Sequence, residues 1–170
     1  YVAEKQRLSE YDFDDEALRP YFSAQVVLNG LFNLLKQLYG VTIKSVDDWP
    51  TWHKSVQPYA LYEADGTLSG AFYLDLFPRE GKRSGAWMRP MLTAPLGVPG
   101  SPHVGVVCGN MSAPTGDGPA LLTHREVETV FHEFGHLMHH LFSRGDVRSL
   151  MGTNVAWDFV ELPSQIMENW

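Results

Sequence analysis

Ten residues, HEFGHLMHHL (132–141), hold four of the seven histidines in this chain of 170 residues. Neutral imidazole is a common metal ligand, so the cluster predicts a metal site. Within it, His132-Glu133-Phe134-Gly135-His136 matches H-E-x-x-H, in which two histidines one helical turn apart bind zinc and the glutamate acts as general base. At about 100° per residue, Glu133 and His136 lie about 100° and about 40° around the helix axis from His132, so all three can face one cavity. Random placement of this chain's histidines and glutamates yields about 0.02 such matches, which makes chance a poor explanation.

The other two histidines cannot join the same centre. His139 lies on nearly the same face as His132, but seven residues separate them by roughly 10 Å along the axis. Two donors bound to one zinc at about 2.0–2.1 Å cannot stand much more than about 4 Å apart. His140 is no better placed, and both read as supporting or surface groups. The longer metzincin signature is excluded, because it requires a glycine and a third histidine where this chain has His139 and Phe142.

A catalytic zinc site takes a third protein ligand and leaves a position open for water. WDFVELPSQIMENW (157–170) supplies Asp158, Glu161 and Glu168, whose spacings of three and seven put all three on one face if the segment is a helix. Pro163 is compatible with a helix that begins just before it. Spacing alone does not choose between Glu161 and Glu168. Histidine ligands usually donate their other ring N–H to a carboxylate or carbonyl. Glu128, one turn before His132, and Asp158, one turn before Glu161, are the candidates for that part.

The elements that must position these groups are also marked. Thr123 is an N-cap, Glu126 completes a T-x-x-E capping box, and Val127, Val130, Phe131, Phe134, Met138 and Leu141 recur at helical spacing. Residues 14–39 read as an earlier helix, with Pro20 near its start, Leu28, Leu31, Phe32, Leu35 and Leu38 as its apolar stripe, and Gly40 as its stop. YALYEADGTLSGAFYLDLFPR has two apolar-aromatic runs around Asp65-Gly66, a hairpin signal. SGAWMRPML and HVGVVCGNM predict two more strands, and TAPLGVPGSP and SAPTGDGPA predict loops. The expected fold is α+β: a helix, a small mostly antiparallel sheet, then two helices.

Composition narrows the class. Hydrophobic content of 44% and charged content of 19% are those of a soluble globular protein. A net charge of −7 without a basic cluster argues against a nucleic-acid partner. No apolar run approaches a membrane span, and YVAEKQRLSE lacks the layout of a secretory signal, so a cytoplasmic location without a membrane partner is expected. Cys108 is alone and reads as a small buried hydrophobe. A start without methionine and a stop at Trp170 inside a helical pattern predict a portion of a longer protein.

FHEFGHLMHH followed by WDFVELPSQIMENW resembles the thimet oligopeptidase family of zinc metallopeptidases, which includes the bacterial oligopeptidase A type and peptidyl-dipeptidases. VELPSQ with ENW is more specific than H-E-x-x-H itself, and YLDLFPREGKRSGAW and VCGNMSAP are similar to that family's sheet segments. The resemblance therefore runs over essentially the whole chain, and WDFVELPSQIMENW leans toward the oligopeptidase A type.

This resemblance implies one zinc per chain, bound by His132, His136 and Glu161, with Glu133 as catalytic base, and so separates Glu161 from Glu168. It implies that residues 1–170 are a central portion of the catalytic domain, incomplete at both ends, of a larger, mainly helical, two-lobed peptidase with a zincin-type active-site helix. The remaining segments of that protein would be partners of this one. The family's tyrosine and histidine oxyanion donors would lie beyond Trp170. The expected activity is metalloendopeptidase cleavage of short oligopeptides, with peptidyl-dipeptidase activity of the same family as the alternative. A catalytically silent, metal-stabilised peptide-binding domain is the reading from another class. Glu133 argues against it, since a closed structural zinc site has no use for a base. An extended peptide needs backbone partners, and HVGVVCGN is the candidate sheet edge, with Gly105 and Gly109 allowing close approach.

Overall fold

A computed structural model describes residues 2, 5, 6, 15–94 and 101–170. The first helical stretch is not continuous. A 3-10 turn, Asp15–Tyr21, contains Pro20, and helix α1 spans Ala24–Tyr39 after a break at Phe22 and Ser23. Pro20 lacks an N–H and crowds the carbonyl four residues back, which ends the first segment. Ser23 then caps a new helix by accepting the Val26 N–H. Asp14, the expected start, falls outside the described residues. Leu28, Leu31 and Leu35 are buried as their spacing requires, whereas Leu38 is exposed. Gly40 closes α1 in the left-handed region, at φ 74°.

Five strands follow: β1 (Thr42–Ser45), β2 (Gln57–Tyr62), β3 (Leu68–Asp75), β4 (Trp87–Leu92) and β5 (His103–Cys108). They form one sheet in the order β1-β2-β3-β5-β4. All neighbours are antiparallel except β3 and β5, which run parallel from Gly70↔His103 to Asp75↔Cys108. The β2–β3 hairpin turns at Asp65-Gly66, where Gly66 has φ 85° and the Asp65 carboxylate accepts the Thr67 N–H at 2.8 Å. Residues 95–100 of the expected TAPLGVPGSP loop lie outside the described residues.

One expectation about the sheet is overturned. HVGVVCGN does not present an edge, because β5 is paired on both sides, by β3 and β4. Its valine-rich, largely buried run suits an interior strand. The edge strand on this side of the sheet is β4, which is mostly exposed and carries Pro90, a residue that interior ladders do not accept. Gly105 serves packing: a Cβ there would stand 2.6 Å from Leu137 Cδ1 on the metal-motif helix.

That helix, α2 (His124–Leu141), and α1 share one core with the sheet. Phe72 of β3 meets Phe134 of α2 at 5.6 Å between ring centroids, and Phe32 of α1 meets the same ring at 6.0 Å. The turn from β3 toward β4 is knotted around buried Asp75. Arg79 donates twice to its carboxylate (2.6 and 2.8 Å), Lys82 once (2.9 Å) and Trp52 once (3.0 Å). Burial alone would raise the Asp75 pKa, but these donors outweigh it and hold the carboxyl well below the usual range.

The last helix, α3 (Leu162–Met167), is much shorter than the segment expected to form it. Residues 157–160 are turns, so Asp158 lies off the helix, exposed, and the three carboxylates do not share a helical face. Pro163 sits in the first turn of α3, where its missing N–H costs nothing.

Candidate metal centre

Helix α2 starts as its sequence dictates. The Thr123 hydroxyl accepts the Glu126 N–H, and Glu126 Oε2 accepts the Thr123 N–H at 2.7 Å. Glu126 Oε1 also accepts the Ser112 N–H at 2.6 Å, which ties the preceding loop to the helix. Val130, Phe134, Leu137, Met138 and Leu141 are buried, which turns the arc bearing His132 and His136 away from the core.

Glu161 stands at the N-terminus of α3 and reaches both histidines. Its Oε2 lies 3.2 Å from His132 Nε2 and 3.1 Å from His136 Nε2. The two imidazoles are nearly perpendicular, at 83°, with centroids 4.9 Å apart. The three ligand atoms all lie within 4.8 Å of one another. Two imidazole nitrogens and one carboxylate oxygen gathered this closely are a donor set suited to zinc. Burial pushes the His136 pKa down, which favours the neutral ring that a metal needs.

Glu133 is buried beside this group without joining it, at 7% exposure. Burial pushes its carboxyl above the usual range, against the opposing pull of His132 and of the nearby Met88 backbone of β4. Glu133 thus faces the outer strand β4.

Glu168 occupies the place expected of Glu128 or Asp158. At the C-terminal end of α3, its Oε1 lies 2.5 Å from His132 Nδ1. Of the residues expected to support a ligand histidine, Glu128 lies 3.6 Å from His124 Nδ1 instead, and Asp158 sits in the exposed turn before α3. The signal for Glu168 was its spacing from Glu161: two carboxylates on one helical face can flank a single ring, one at each nitrogen. His136 Nδ1 is buried with no hydrogen-bond partner among the described residues.

His139 and His140 stand apart from the three converging residues. His140 is 1% exposed and donates from Nε2 to the Val104 carbonyl at 3.2 Å, while His139 packs edge-on against Phe159. Cys108 is buried and free.

The model of peptidase family M3 matches residues 1–170, and the chain belongs to that family. It is 45% identical over 174 residues to oligopeptidase A of Escherichia coli (strain K12), covering 100% of this chain and 25% of that protein. To the probable cytosolic oligopeptidase A of Arabidopsis thaliana it is 42% identical over 179 residues, with 100% and 25% covered. To the dipeptidyl carboxypeptidase of Escherichia coli (strain K12) it is 39% identical over 171 residues, again with 100% and 25% covered. The chain therefore spans about a quarter of the length of these curated relatives.

Proposed function

We propose that this chain is the zinc-binding portion of a metallopeptidase that hydrolyses short oligopeptides, with one zinc per chain on His132, His136 and Glu161. The observation that carries the reading is the approach of one Glu161 oxygen to both histidine Nε2 atoms, at 3.2 and 3.1 Å. When bound, zinc supplies Lewis acidity that makes water more acidic and polarises a carbonyl. Glu133 is the base that takes the proton from water and delivers it to the departing amine. Its burial supports that role, because it raises the proton affinity of the carboxylate.

An extended peptide adds as a further strand on the free side of β4, the outer strand next to Glu133, rather than on β5. Identity of 45% to an oligopeptidase A against 39% to a dipeptidyl carboxypeptidase favours internal cleavage of oligopeptides over release of dipeptides. Retention of a buried Glu133 weighs against a silent binding domain. The length of the relatives supports reading residues 1–170 as a portion of a larger peptidase; in our reading it is a central portion of a two-lobed, mainly helical protein whose other segments complete the channel. A cytoplasmic location accords with the Arabidopsis relative named as probably cytosolic. Among the described residues no helix is long and apolar enough to cross a membrane.

The test is made in the full-length protein, by elemental analysis beside peptide hydrolysis. One zinc is expected in the parent and a clear loss in Glu161→Ala. Glu133→Gln should keep its zinc while hydrolysis falls by about 10²–10⁴-fold. Zinc retained in Glu161→Ala, or hydrolysis unchanged in Glu133→Gln, overturns the assignment.

A further inference from the structure

Gly135 lies between the two histidines of α2, at an interior position where glycine is a poor helix former. The neighbouring helix shows what the missing side chain permits. A Cβ on Gly135 would stand 2.4 Å from Ser164 Cα, 2.5 Å from the Pro163 carbonyl oxygen and 2.9 Å from the Pro163 carbonyl carbon. All three are backbone atoms of α3, so no side-chain rotation relieves the clash. By contrast, a Cβ on Gly30 in α1 would meet nothing within 4 Å.

The same turn of α3 carries Glu161. Ser164 is fully buried, and its hydroxyl lies 2.8 Å from Glu161 Oε2 and 2.8 Å from the Glu161 carbonyl oxygen. That Oε2 is the atom closest to both histidine Nε2 atoms. The backbone resting on Gly135 and the carboxylate reaching the histidines are therefore joined within three residues.

We infer that Gly135 is a positioning residue for Glu161: its bare face lets α3 seat deeply enough for the carboxylate to meet both imidazoles, and Ser164 holds that carboxylate in place. Relief of the 2.4 Å contact to the 3.4 Å of ordinary packing needs α3 to retreat by about 1 Å. Metal–ligand distances tolerate only about 0.2 Å. A single methyl group at residue 135 thus removes Glu161 from the donor set without touching any donor atom.

The inference rests on the metal-site reading above, and a double-mutant cycle separates the two. Zinc affinity of the full-length protein is measured by chelator competition for the parent, Gly135→Ala, Glu161→Ala and the double variant, with helix content followed by circular dichroism. Gly135→Ala is expected to weaken zinc binding at least tenfold with its helix content kept. In the Glu161→Ala background it should change affinity by less than about twofold, because the group it positions is already gone. No loss in Gly135→Ala, or an equal loss in both backgrounds, overturns the inference. If Gly135→Ala does not fold, Ser164→Ala carries the same cycle with no added volume. It is expected to lose about 10–100-fold in affinity, again only when Glu161 is present. A parent without zinc, or Glu161→Ala binding as tightly as the parent, removes the metal-site reading and this inference together.

Discussion

His132 has a carboxylate at each ring nitrogen, both from the two ends of one short helix: Glu161 near Nε2 and Glu168 at Nδ1. A proton kept on Nδ1 by Glu168 leaves the Nε2 lone pair free to bind a metal. Glu168→Ala should therefore weaken zinc binding by about 10–100-fold, and Glu168→Gln, which keeps an acceptor, by less. Chelator competition measures both, and an unchanged affinity in Glu168→Ala would show that the contact orients nothing. At this scale the histidine pair and Glu133 were legible because one helix carries them all and its period is known. Glu161 and Glu168 were not separable, since they share a face and spacing says nothing about which ring nitrogen each one meets. The bare side of Gly135 was invisible for a similar reason: its meaning lies in Pro163 and Ser164, which spacing along α2 does not reach.

Among the elements, α2 was the most legible, because its capping box is a local device complete within four residues. Thr123→Ala should lower unfolding stability by about 1 kcal/mol, measured by denaturant titration. Glu126→Ala should cost more, because it also releases the Ser112 N–H and hydroxyl. A smaller loss for Glu126→Ala than for Thr123→Ala would mean that the loop contact carries no weight. Helix α1 was legible in its stripe and its Gly40 stop but not in its start, where Ser23 capping competes with a helical pattern that runs through Pro20. The sheet was legible strand by strand, yet its order was not. Alternation within a strand reports which face is buried and carries no information about which strand lies beside it, so it does not distinguish β5 from the edge strand β4.

Across the molecule, two buried histidines make stability depend on pH. His103 accepts the Ala94 N–H and donates to the Ser143 carbonyl at 3.0 Å, and its ring lies 5.2 Å from that of His140. Burial pushes both pKa values down, and nearby Arg144 disfavours charge on His103 as His103 and His139 do on His140. The unfolded chain, with histidines near pKa 6.5, then binds more protons than the folded one below that pH. Stability from this pair is complete above about pH 6.5 and declines as pH falls toward the depressed native values. Denaturant unfolding of the metal-free protein should give a lower stability at pH 5.5 than at 7.5, with a smaller difference in His103→Gln. The same difference in that variant would clear His103 of the effect.

In chain order β4 precedes β5, but in the sheet β5 lies between β3 and β4. A chain emerging from the ribosome completes the β1–β2–β3 meander early, whereas β4 has nothing to pair with until β5 appears and inserts. For that interval β4 is an orphan strand, the kind of segment that recruits stray chains into aggregates. Pro90, which has no N–H to donate, and the exposed charge of Arg89 shorten the stretch that a stray strand could pair with. The strand that starts beside Glu133 thus carries a partial guard against misassembly while it waits.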